Sequence, residues 1–89
     1  MVVVRIPSSL GEWFRGQDEV RCEGATVAEC IEHLDRSFPG LKARLLDQRG
    51  EIASALLFLN GDNIRHLGGL ATPVREGDEL GIIPLAAGG

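Results

Sequence analysis

The chain has 89 residues, of which 44% are hydrophobic and 25% are charged, with a formal net charge of −4 and a pI near 5.0. This length holds one compact domain and is too short for two, and the composition is too apolar for a disordered protein. The acidic balance repels phosphate backbones and anionic lipid headgroups, so we expect neither a nucleic-acid partner nor a membrane partner.

The sequence carries no sign of a membrane segment or a secretory leader. Its longest uncharged apolar stretch, residues 52–59, is far shorter than the ~20 residues that a helix needs to cross a bilayer. Residues 1–7 lack the basic start and the long apolar run of a signal peptide. We therefore expect a cytoplasmic protein.

The N-terminal region has the pattern of a β-hairpin. In residues 2–6, Val2, Val4 and Ile6 would lie on one face of a strand and Val3 and Arg5 on the other. This period of two predicts a half-buried strand. A loop with Trp13 and Phe14 follows, and residues 19–23 then alternate again. Two alternating segments joined by a loop predict paired strands.

A helix is predicted next, and both of its ends carry recognisable signals. Thr26 and Glu29 form a capping box, in which the threonine oxygen accepts a backbone N–H and the glutamate reaches back. Glu32 and Arg36 have the spacing of a favourable pair on the exposed side, and residues 39–40, Pro-Gly, end the helix. One apolar stripe faces the core and consists of Val27, Cys30, Ile31, Leu34 and Phe38.

The second half reads as two strands with a short one between them. Residues 56–59 are continuously apolar, which predicts a strand buried on both faces. Asn60-Gly61 predicts a tight turn, residues 63–67 a short edge strand, and residues 80–83 a last strand that Pro84 ends. A single amphipathic helix must cover one face of the sheet, so the expected architecture is an α+β roll.

The folded body offers no obvious reactive site. His33 and His66 have no nucleophile beside them in sequence, and we interpret both as surface residues. Cys22 and Cys30 do not form a C-x-x-C pair, and the two histidines are not spaced as metal ligands beside them, so the sequence predicts no four-ligand zinc site and no iron–sulfur cluster. We expect reduced, partly buried thiols, no metal site and no bound cofactor.

The C-terminal segment is the remaining candidate. Residues 84–89 carry no charge and no large side chain after Leu85. A tail of small residues can enter a narrow channel of a partner enzyme, although a frayed terminus would look the same. If a partner transferred AMP from ATP to the carboxylate of Gly89, a sulfur nucleophile could displace AMP and leave a thiocarboxylate.

Three motifs give the chain a wider resemblance: residues 68–73 (Gly-Gly-Leu-Ala-Thr-Pro), residues 77–80 (Gly-Asp-Glu-Leu) and residues 83–89 (Ile-Pro-Leu-Ala-Ala-Gly-Gly). With them the chain resembles the ThiS/MoaD superfamily of sulfur carriers, which are relatives of ubiquitin. It is most similar to the CysO-type carriers of cysteine biosynthesis and then to the small subunits of molybdopterin synthase. The resemblance implies a single β-grasp domain over residues 1–89, with one main helix on a mixed four- to five-stranded sheet and a flexible tail, residues 84–89.

The resemblance also implies a site and partners. Gly89, with Gly88 as its required neighbour, would be adenylated and thiocarboxylated by a ubiquitin-activating-type adenylyltransferase/sulfurtransferase that uses ATP. A sulfur-accepting synthase would then take the sulfur, so the chain itself would be a carrier and not an enzyme. The family docks through an apolar sheet surface near the tail, for which the candidates here are Phe58, Ile83, Leu85, Ala86 and Ala87. A core position for Phe58 fits the sequence equally well.

Two other functions remain open at this point. The chain could be a protein modifier conjugated to target lysines, in which case chains of modifiers could branch only at Lys42, its single lysine, or at the N-terminus. It could also be a synthase subunit whose tail stays inserted in a larger catalytic subunit. The sulfur donor, the acceptor and the pathway are not readable from the sequence.

Overall fold

The computed structural model of the chain describes residues 1–53 and 55–85. Two helices and five strands are formed, in the order β1 (Val2–Arg5), β2 (Glu19–Cys22), α1 (Val27–Ser37), α2 (Leu41–Leu45), β3 (Ala55–Leu59), β4 (Asp62–Asn63) and β5 (Glu79–Pro84). Short 3-10 helices occupy Ser8–Phe14, Ile64–His66 and Gly69–Ala71.

The sheet is mixed, with strand order β2-β1-β5-β3-β4. The first and last strands, β1 and β5, run parallel at its centre, and every other neighbouring pair is antiparallel. Because β5 lies between β1 and β3, the C-terminal end of the chain leaves from the middle of the sheet. The predicted α+β roll with one main helix is confirmed.

Helix α1 begins at the predicted capping box. The Thr26 Oγ1 atom accepts the N–H of Glu29 at 3.2 Å, and the Glu29 carboxylate accepts the N–H of Ala25 at 3.0 Å. The glutamate therefore satisfies the amide one residue before the cap. All five residues of the predicted apolar stripe are buried. They cover one face of the sheet, where the buried strand residues include Val2, Val4, Val20, Leu57, Leu59, Leu80 and Ile82.

Strand β3 corrects the expectation of a strand buried on both faces. Its side chains alternate, with Ala55, Leu57 and Leu59 buried and Leu56 and Phe58 half-buried on the opposite face. The reason is that α1 covers only one side of the sheet. The other side, which we call the open face, has no helix over it in the described part of the chain.

The turn after β3 is as predicted, and the edge strand is shorter than predicted. Asn60 and Gly61 have φ values of 51° and 88°, the left-handed pair that a two-residue hairpin turn requires. Strand β4 ends at Asn63, whose Oδ1 accepts the N–H of Arg65 at 2.9 Å. This contact starts a 3-10 turn and ends the strand.

The predicted N-terminal loop is a 3-10 helix that packs on the end of α1. The Phe14 ring is fully buried and lies 4.8 Å, centroid to centroid, from the Phe38 ring. The Arg15 guanidinium lies 5.4 Å from the centroid of the Phe38 ring, within cation–π distance. The side chain of Trp13 lies outside the described part of the structure.

Candidate functional site

The predicted reactive tail continues from β5. This strand begins at Glu79 and extends through Pro84, which pairs with Ala55 of β3, so it is one residue longer at each end than the sequence pattern indicates. Leu85 follows with 47% exposure. The remaining predicted tail residues, Ala86, Ala87, Gly88 and Gly89, lie outside the described residues.

An apolar patch lies on the open face beside the start of the tail. In the sheet register Ile83 of β5 faces Leu56 of β3, and Phe58 of β3 faces Gly81 of β5. Ile83 is 50% exposed, while Leu56 and Phe58 are half-buried. We call Leu56, Phe58 and Ile83 the apolar patch.

The structure thus brings two of the predicted docking residues, Phe58 and Ile83, onto neighbouring strands of one face, and Leu85 follows directly after β5. Phe58 belongs to the open face and not to the core. Leu56 was missed in the sequence, although it stands two residues before Phe58 and strand side chains repeat every second residue.

The other half of the open face carries a cluster of paired charges. The Arg5 guanidinium contacts the Glu19 carboxylate at 2.8 Å and the Glu79 carboxylate at 3.2 Å, which links β2, β1 and β5. The hydrogen bond and charge of Glu79, and then the charge of Glu19, raise the pKa of Arg5. This arrangement depends on the sheet register, so no local sequence signal could have found it.

The Gly-Gly-Leu-Ala-Thr motif has a structural role. The buried Thr72 hydroxyl donates to the Gly69 carbonyl at 2.6 Å and accepts the Gly68 N–H at 2.9 Å. The Thr72 carbonyl accepts the N–H of Val27 at 3.0 Å. These bonds hold a short 3-10 turn against the first turn of α1.

His33 and both cysteines of the body are engaged in the fold, whereas His66 is exposed, as predicted. His33, predicted on the solvated helix face, is half-buried, and its Nδ1 accepts the N–H of Glu23 at 2.6 Å. Cys22 and Cys30 are fully buried free thiols, and the neighbouring Cys30 and burial raise the pKa of Cys22. A thiol with a raised pKa is a poor nucleophile near neutral pH.

Residues 1–53 and 55–85 contain no group of three or more His, Cys, Asp or Glu side chains placed to hold a metal ion. Over the same residues, no helix has the length and apolar character needed to span a membrane.

Comparison with known proteins finds a family match and similar carrier proteins. Residues 4–89 match the ThiS family. The sulfur carrier protein CysO of Mycobacterium tuberculosis (strain H37Rv) is 34% identical over 91 residues, which cover 99% of this chain and 98% of that protein.

Two solved structures extend the likeness to the whole fold. A chain in the crystal structure of the Amycolatopsis orientalis BexX/CysO complex is 36% identical, with a TM-score of 0.91 and coverage of 100% of both chains. The solution structure of small archaeal modifier protein 1 from Methanosarcina acetivorans is 35% identical, with a TM-score of 0.82 and coverage of 99% of this chain and 95% of that one. The chain therefore has the ubiquitin-like β-grasp fold.

Proposed function

We propose that this chain, which belongs to the ThiS family, is a sulfur carrier protein whose reactive group is the C-terminal carboxylate of Gly89. The observation that carries the proposal is the likeness to CysO, a protein named a sulfur carrier, over 99% of this chain. The absence of a metal-binding cluster from the described residues is compatible with it, because the scheme requires no catalytic side chain of the carrier.

The proposed chemistry has two steps, both performed by a partner adenylyltransferase. A carboxylate oxygen of Gly89 attacks the α-phosphorus of ATP, and pyrophosphate leaves. Hydrosulfide then attacks the carbonyl carbon, a C–S bond forms, AMP leaves with the former carboxylate oxygen, and a thiocarboxylate remains. A sulfur-accepting synthase takes the sulfur from this group, and hydrolysis of the acyl product would restore the carboxylate.

The tail and the apolar patch would serve recognition by the partner. Gly88, Ala87 and Ala86 offer no bulk, so a narrow channel could close around their backbone. The apolar patch and Leu85 lie next to the point where the tail begins, and exposed apolar side chains grouped on one face are typical of interaction sites. The paired charges of Arg5, Glu19 and Glu79 would frame this contact as a polar rim.

The intact mass of the protein tests the proposal after incubation with the adenylyltransferase, ATP and sulfide. We expect a gain equal to the replacement of one oxygen by sulfur, localised to Gly89. Gly89→Ala, or one added C-terminal residue, should abolish the gain, while Gly11→Ala, a glycine change with open space around the new Cβ, should not. Equal thiocarboxylation of wild type and both tail variants would contradict the proposal.

The pathway that we propose is cysteine biosynthesis, because two of the similar proteins carry the name CysO. Molybdopterin or a related cofactor is the alternative product, with this chain as the small subunit of a synthase. A stable complex that co-purifies with a larger catalytic subunit would favour that alternative.

A protein modifier is the second candidate function, favoured by the likeness to small archaeal modifier protein 1. The same acyl-adenylate could be attacked by a lysine amine of a target, which would form an isopeptide bond. Conjugates that survive denaturing, reducing electrophoresis would support this function, and their absence from cells that produce the thiocarboxylate would exclude it.

A further inference from the structure

The chain is poor in groups that could be acylated by its own activated carboxylate. Of its nine lysine and arginine residues, Lys42 is the only lysine. Arginine stays protonated at any physiological pH and is not a practical nucleophile, whereas a neutral lysine amine attacks acyl groups readily. The state of Lys42 therefore decides whether a side-chain amine of this protein competes with sulfur.

Lys42 is held beside acidic residues by the packing of α2 on α1. Its Nζ forms an ion pair with the Glu32 carboxylate, and the two side chains are 44% and 50% exposed. Its backbone N–H donates to Asp35 Oδ1 at 3.0 Å, which fixes the first turn of α2 against α1. Asp47 lines the same surface depression as Lys42 and Asp35.

The charges around Lys42 favour its protonated form. The hydrogen bond that Lys42 Nζ donates to the Glu32 carboxylate is the largest cause that raises the pKa of Lys42, followed by the charge of Glu32, with a smaller contribution from the charge of Asp35. Only the neutral amine has a lone pair, so the rate of amine attack is proportional to the neutral fraction of Lys42, and this fraction falls as the pKa of Lys42 rises.

We propose that Glu32 is a specificity-determining residue, which pairs with the Lys42 ammonium group and so slows the acylation of one copy by the activated carboxyl group of another. This inference rests on the proposed carrier function. The suppressed reaction is attack of the neutral Lys42 amine on the acyl carbon of a Gly89 adenylate. It would form an N–C bond, break the C–O bond to AMP, release a proton to solvent and leave an isopeptide-linked dimer. Slower attack by Lys42 leaves more of the Gly89 adenylate to react with sulfur.

Acetylation by an N-hydroxysuccinimide ester of acetic acid tests the reactivity of Lys42 without any partner enzyme. Mass spectrometry gives the rate at Lys42 relative to the Met1 amine of the same molecule. Near pH 8 and at low salt, Glu32→Gln should raise this ratio roughly two- to fivefold, the range expected from loss of one exposed ion pair. High salt should narrow the difference between the ratios of wild type and Glu32→Gln, because salt screens the Glu32–Lys42 pair. Its effect on the Met1 amine, which pairs with Glu76, is common to both proteins.

Glu12→Gln is the matched control, since it makes the same change of charge on an exposed residue outside the Lys42 surroundings. Its ratio should equal that of wild type. A ratio in Glu32→Gln that equals the ratios of wild type and Glu12→Gln would overturn the proposal, and circular dichroism would show that all three proteins are folded.

Activation in the absence of sulfide tests the consequence for the carrier. With the adenylyltransferase and ATP alone, Glu32→Gln should form more Lys42–Gly89 dimer than wild type, and Lys42→Arg should form none. Two results would overturn the specificity role. One is an equal amount of dimer from wild type and Glu32→Gln. The other is no dimer from either protein, although thiocarboxylate forms when sulfide is added. If no thiocarboxylate forms even with sulfide, the carrier function fails while the acetylation result for Lys42 still stands.

Discussion

The Asn60 side-chain amide donates to Asp78 Oδ1 at 3.1 Å and thereby ties the turn after β3 to the turn before β5. Asn60 Oδ1 accepts the N–H of Glu79 at 2.9 Å, and Asp78 Oδ2 accepts the N–H of Arg75 at 2.8 Å. The Gly-Asp-Glu motif thus shapes the entry of the chain into its last strand, whose far end carries the tail. The backbone bond from Arg75, and then the bond from Asn60, lower the pKa of Asp78.

Replacing Asp78 should destabilise the protein in a pH-dependent way. Asp78→Ala removes two acceptors and should lower the free energy of unfolding by about 1–2 kcal/mol at pH 7. A carboxyl whose pKa is lowered by folding stabilises the native state fully above its ordinary value of 3.8, and this contribution is lost as the pH falls through the lower folded value. Urea unfolding at pH 7 and in acid should show that the difference in the free energy of unfolding between wild type and Asp78→Ala narrows as the pH falls. Asp62→Ala, on an exposed residue, is the control and should lower the free energy of unfolding less at pH 7.

Loss of the Thr72 hydroxyl should lower the stability of the protein, because this group makes two hydrogen bonds. Thr72→Val removes the partner of the Gly68 N–H, while the Gly69 carbonyl still accepts the Thr72 backbone N–H. We expect a loss of about 0.5–1.5 kcal/mol. Thr72→Ser keeps the hydroxyl and should lose less. Equal urea midpoints for Thr72→Val and wild type would show that the hydroxyl is dispensable.

Gly24 should not tolerate a side chain. A Cβ at this position would lie 2.8 Å from the backbone nitrogen of Cys30 and 2.8 Å from Cβ of Glu29, so Gly24→Ala must displace the first turn of α1. We expect a loss of about 1–3 kcal/mol, as for other overpacked sites. Gly11→Ala, with open space around the new Cβ, serves as the control in the same thermal or urea unfolding experiment.

The apolar patch should affect activation and not folding. Ile83→Asp places a charge on the open face and should raise the KM of the adenylyltransferase for the carrier at least about tenfold, because a buried, unpaired charge at an interface costs well over 1 kcal/mol. Leu67→Asp is matched in exposure, 47% against 50%, and lies outside the patch. An equal KM for the two variants would argue against the patch as the docking surface.

Much of this fold follows from local sequence patterns. The capping box of Thr26 and Glu29, the apolar stripe of α1 and the Asn60-Gly61 turn each depend on residues within a few positions of one another, and all three are present in the structure. The proposed place of the reactive group also rests on local composition, because the small residues of the tail are contiguous in sequence.

The relationships that depend on the sheet register and on helix packing could be found only in the tertiary structure. Glu32 pairs with Lys42 of α2 and not with the neighbour on its own helix, Arg36, that its spacing predicted. Phe58 fits a core or a surface position by its sequence alone. Its place on the open face was decided because β3 pairs with β5 and α1 covers only the side that carries Leu57. A period-two pattern shows which side chains share a face of a strand. Which of the two faces a helix covers depends on contacts between residues far apart in the chain.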